Sequence, residues 1–209
     1  MEKRRVLATE RTLKYVIFAR HNLFTHQSDI MKVRIALVLV ILAALTRLLP
    51  HPPNFTPIAA IGLFGAAYFE RRWLALIVPF GALFLTDLFL NNVIYSSYYT
   101  GFTWVTSWWI YAAFTLVMVV GWVMLRTQVS PARVAMASLT ASALFFLVSN
   151  ASTWAETPLY PKTFAGLMTC YAAGLPFAGN TILGDLFFSA ALFGGYAWAT
   201  RKLVLSFEF

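Results

Sequence analysis

The chain has a single cysteine, Cys170, in 209 residues. No internal disulfide can form. The lone thiol is either a redox or metal ligand without neighbours or, more simply, a small apolar side chain. Charged residues are also scarce, at 11% against roughly 25% in soluble domains, which excludes an ordinary water-soluble fold. There are three histidines, and no two stand as His-x-x-x-His. Cys-x-x-Cys, Gly-x-Ser-x-Gly and the glycine-rich phosphate loop are missing as well. These absences leave no catalytic residue, metal site or cofactor to nominate, so the chain reads as a non-enzyme. Asp87 and Asp185 could form an intramembrane acid pair, but no signature accompanies them. No filter-like motif points to a channel. Without a nucleotide-binding domain, any ATP-driven transport needs other subunits.

Apolar surface is what the chain has in abundance: 60% hydrophobic, 17% aromatic, with a mean hydropathy of +0.70. This predicts an all-α polytopic protein whose first partner is the lipid bilayer. Six spans are expected, over 33–49, 55–69, 73–90, 102–125, 131–149 and 181–200. The apolar stretch 164–177 ends at Gly174 and Pro176, so it reads as a short interfacial or re-entrant helix in the last outer loop. The net charge of +8 does not indicate nucleic acid, because the basic residues sit at span ends and in the N-terminal arm. With the N-terminus inside, every Lys and Arg except Arg47 and Lys162 falls on the cytoplasmic side. Six spans with both termini in the cytoplasm follow from that asymmetry. Residues 1–30 are basic and lack the apolar core of a signal peptide. They read as a disordered arm, or as an extension ahead of a start at Met31, with 31–209 as the membrane domain.

The most informative segment runs from Arg47 through Leu-Leu-Pro-His-Pro-Pro-Asn-Phe-Thr-Pro. It places four prolines between two apolar runs, and each fixes φ and restricts the residue before it. Such a connector is a shaped cap at one membrane face. Polar residues cluster on the same side: Arg47, Asp87, Asn150 and Asp185 all lie toward the outer ends of their spans. Charges in the apolar region must pair or face a wet cavity, so Arg47 is expected to pair with Asp87 or Asp185. They either brace the helix ends or line a solute site. The loop prolines would hold His51, Asn54 and Thr56 over a cavity of a few hundred Å³. Asp87, Asn150 and Asp185 would lie below, with Trp154 or Tyr160 at the side. The aromatic outer loops fit an interfacial belt or a stacking surface. Pairs of small residues, such as Ala137 and Ala141 or Ala190 and Gly194, fit close helix packing or a docking face for another subunit.

The run Leu49–Phe69 and the stretch Thr157–Gly195 resemble an uncharacterised bacterial family of six-helix membrane proteins, DUF6580-like, to which transport is ascribed. The resemblance covers roughly residues 33–200. More distantly, the layout is similar to the substrate-binding S components of energy-coupling-factor vitamin transporters. That resemblance implies a protein of the bacterial inner membrane that captures a small vitamin-like or aromatic solute from outside. It also implies an energising transmembrane and ATPase module as a partner. S components often dock through Ala-x-x-x-Ala in their first span; here that spacing occurs only at Ala137 and Ala141. The alternative reading is a non-catalytic structural subunit of a larger membrane complex.

Overall fold

The computed structural model describes the backbone of residues 27–207 and the side chains as far as residue 202. The basic arm expected over 1–30 lies outside the described residues up to position 26. Six helices follow one another: α1 (27–46), α2 (Ile58–Tyr68), α3 (Arg72–Phe89), α4 (Trp108–Leu125), α5 (Pro131–Glu156) and α6 (Phe164–Phe207). They alternate in direction, so the start of α1, the end of α2 and the end of α6 meet at one end. Asp29, Lys32, Arg34, Glu70, Arg71 and Tyr196 gather there. This is the basic end; the 47–57 loop faces the other way.

Among the described residues, four stretches are long and apolar enough to cross a membrane: Arg72–Ile94, Trp108–Leu125, Pro131–Glu156 and Phe164–Lys202. The expected count of six spans is therefore too high. The first of the two missing spans, α1, carries Asp29, Lys32 and Arg34 in its opening turns. The other, α2, has 11 residues and rises only about 16 Å, roughly half the hydrocarbon thickness.

This short apolar helix is enclosed by the other helices. Every residue from Ile58 to Ala66 is buried. It is apolar on all sides, as a helix enclosed by other helices should be. Ala36, Val40, Ala43 and Ala44 of α1 cover it together with Leu192, Phe193 and Tyr196 of α6. Small residues bring the neighbours close. A Cβ on Gly121 of α4 would lie 3.0 Å from Leu63 Cα and 3.0 Å from Ala66 Cβ, and one on Gly62 would lie 2.9 Å from the Phe114 ring. The outer faces are apolar, with Ile77, Leu85, Val123 and Trp198 all more than half exposed, a surface compatible with lipid.

The carbonyls at the end of α2 need partners, because the last turn of a helix leaves its C=O groups without intrahelical donors. Arg126, just past α4, supplies them. Its guanidinium donates to Phe69 O at 2.7 Å, Glu70 O at 2.9 Å and Ala66 O at 3.4 Å. Arg126→Met keeps the apolar stem and removes these charged donors. It is expected to cost about 1–3 kcal/mol in denaturant unfolding of the detergent-solubilised protein. An unchanged midpoint would mean that water replaces the guanidinium.

The expected interfacial helix over 164–177 is not a separate element. It forms the first part of α6, a continuous helix of 44 residues with Pro176 inside it. A proline inside a helix removes one helical hydrogen bond, and α6 continues past it. α5 is longer than expected, running to Glu156, and the two helices form an extended antiparallel hairpin. α4 is shorter than expected, beginning at Trp108 with Ser107 as its cap. The preceding segment is held by Asn92 instead. Its amide donates to Leu88 O and Thr103 O at 2.8 and 2.9 Å and accepts from Thr103 N–H at 2.8 Å. Asn92 lies in a π-helical turn, Leu90–Ile94, that continues α3.

Candidate functional site

After α1 the chain tightens into three-residue turns at Arg47, Leu48 and Leu49, then meets Pro50. Asn54 has a positive φ of 64°, a conformation that asparagine tolerates better than most residues. It lets Phe55 N–H reach Pro52 O and Thr56 N–H reach Asn54 O, both at 3.1 Å. Pro57 is fully buried and starts α2.

The loop is clamped on two sides. Toward α3, Arg47 Nη1 lies 2.5 Å from Asp87 Oδ1 and donates to Thr86 Oγ1 at 2.8 Å. The two charged side chains are 15% and 4% exposed, so this ion pair is almost dry. Tyr111 of α4 donates to the other Asp87 oxygen at 3.4 Å. Toward α6, Asn180 Nδ2 donates to Pro53 O at 3.0 Å. Gly184 is where the loop backbone touches α6: a Cβ there would lie 3.1 Å from Phe55 Cα and Thr56 N. The Phe55 ring packs against Phe187 and Phe188, with centroids 5.8 and 5.5 Å away.

Beneath the clamped loop is a cavity of about 200 Å³, bounded by the loop, α2, α3, α4, α5 and α6. Arg47, Asn54, Thr56, Thr181 and Asp185 give it a polar side. Leu83, Ile110, Phe114 and Phe145 give it an apolar one. Asp185 is 3% exposed, and Ser142 Oγ of α5 donates to its Oδ2 at 2.6 Å. A second serine pair, Ser138 Oγ to Ser189 Oγ at 2.8 Å, joins the same two helices nearby.

Of the residues the sequence nominates, Arg47, Asn54, Thr56 and Asp185 line this cavity, and Asp87 holds Arg47 from behind. Of the two expected partners for Arg47, Asp87 is the one that pairs. His51 turns its Nδ1 to Pro52 O at 3.0 Å and stays out of the lining. Asn150, Trp154 and Tyr160 are not brought to the cavity, because α5 carries them past it. Trp154 lies twelve positions beyond Ser142, about 18 Å along the helix. Asn150 packs its side chain against Gly174, donates to Phe146 O at 2.8 Å and offers its carbonyl to Cys170 Sγ at 3.3 Å. That contact makes Cys170 a buried packing residue. Trp154 Nε1 donates to Pro161 O at 2.9 Å, and the Lys162 ammonium sits over its ring at 5.6 Å. These residues close the α5–α6 turn, where Tyr160 also lies. Sequence reasoning missed Ser142, Thr86 and Tyr111. Ser142 reads as a small residue for close packing, and only the facing Asp185 turns its hydroxyl into a partner.

Residues 27–206 match the model of a family of unknown function, DUF6580. No curated protein matches the chain, and no solved structure does.

Proposed function

The chain belongs to the DUF6580 family, whose function is unknown, and we propose that it is a membrane-embedded protein that binds a small, partly apolar solute beneath the 47–57 loop. The observation that carries this reading is the clamped loop over a cavity with one polar and one apolar side. Small-molecule sites have this composition, and a preformed lid loses little entropy on binding. The proposed role is binding and transport, not catalysis. In this reading the basic end lies in the cytoplasm, because Arg71, Arg72, Arg126 and Arg133 gather there. The membrane is the bacterial inner membrane, the solute is vitamin-like or aromatic in size, and a separate module supplies energy.

The test is mass spectrometry of small molecules retained by the purified protein, beside an Ile110→Trp variant that fills the cavity from α4. A solute retained by the parent protein and lost from a folded Ile110→Trp variant is expected. Equal retention by both would place the solute elsewhere and overturn the proposal. The structural-subunit reading draws on a different feature. An apolar groove of about 500 Å³ runs between α5 and α6, floored by small residues that include Ala135, Ala190 and Gly194. Co-purification of a stoichiometric protein partner without any retained solute would favour it.

A further inference from the structure

The ionisable groups around the cavity do not balance. Arg47 and Asp87 neutralise each other at 2.5 Å. Asp185 has no such partner: among the described residues no lysine, arginine or histidine lies within ion-pair distance of it. Its Oδ2 accepts from the Ser142 hydroxyl, and Oδ1 has no hydrogen-bond donor among the described residues. The residue is buried and forms part of the cavity wall. A carboxylate so placed is costly unless a positive charge or a donor completes it.

Resting on the reading of this cavity as a solute site, we infer that its solute carries a protonated amine, seated on Asp185, with an apolar or aromatic body. The rest of the wall suits that chemistry. Thr181 and Asn54 offer oxygen acceptors for ammonium hydrogens beyond those Asp185 takes. Ile110, Phe114 and Phe145 accept the body, and aromatic faces also attract a cation. The Arg47–Asp87 pair contributes no free charge, so it does not compete for the ammonium. A carboxylate-bearing solute, by contrast, would have to displace Asp87 from Arg47 and lie beside Asp185.

The test is calorimetric titration of the full chain in detergent with three probes of one shape: phenethylammonium, phenethyl alcohol and phenylacetate. Titrations run in an N-methylglucamine buffer, with sodium chloride as a fourth titrant. Phenethylammonium is expected to bind at least about tenfold more tightly than the alcohol, and Asp185→Asn to bring the two within about twofold. The probe comparison on the unsubstituted protein decides the question even where Asp185→Asn fails to fold. If the alcohol binds as well as the ammonium, or phenylacetate binds best, the amine assignment fails while the solute site stands. If sodium binds and phenethylammonium does not, the charge at Asp185 belongs to an inorganic cation and the assignment fails. If nothing binds, the assignment and the solute-site reading fail together.

Discussion

Asp87→Ala is expected to lower the unfolding free energy by about 3–5 kcal/mol, because it strands Arg47 without its anion in a nearly dry site. The guanidinium would keep Thr86 Oγ1 at 2.8 Å, a neutral acceptor that cannot balance its charge. The effect should reach beyond the pair. Arg47 anchors one flank of the 47–57 loop, so a stranded cation would turn toward the cavity and unseat the lid. Removing both charges, as Arg47→Met with Asp87→Ala, should cost less than Asp87→Ala alone, since no unpaired ion is left. A double-mutant cycle in detergent measures this directly. A strictly additive result would show that the two side chains do not interact in the folded protein.

Gly121→Leu is the second substitution with a large expected effect. Added atoms at this position meet backbone, not a movable side chain: Leu63 Cα at 3.0 Å and Leu63 O at 3.2 Å. α2 cannot retreat. Gly65 is already against the Pro79 ring of α3, and α1 and α6 cover α2 with Ala36, Val40, Phe193 and Tyr196. Overpacking of this kind costs about 3 kcal/mol, at the upper end of its usual range. Gly121→Ala should lie near 1 kcal/mol, with a shift of a few tenths of an ångström. Size-exclusion monodispersity and unfolding midpoints would report both. A Gly121→Leu protein that folds with the parent's midpoint would show that α2 and α4 are not packed as closely as described.

Much of the architecture is legible from composition and periodicity. The apolar runs mark out helices, and α3 and α5 begin within a residue of where the sequence starts their spans. Scarce charge is a property of the chain alone, and so is the placement of every basic residue except Arg47 and Lys162 in the N-terminal arm and one set of connectors. The proline-rich loop also announces itself, because proline restricts φ locally whatever surrounds it.

The tertiary structure decided where hydropathy stops meaning lipid. A run such as Ile58–Tyr68 is equally apolar whether it faces acyl chains or other helices, so the sequence could not show that α2 is buried and need not span. It also decided which polar residues meet. Asp87 and Asp185 both lie toward the same end of their spans as Arg47, and only the packing of α3 against the loop selects Asp87. Asn150, Trp154 and Tyr160 look like neighbours of Asp185 when α5 is taken to end at Ser149. Two further helical turns move them away. The carbonyls at the end of α2 are met by Arg126, and the Pro53 carbonyl of the loop by Asn180. Those partners come from distant parts of the chain, and no local pattern encodes them.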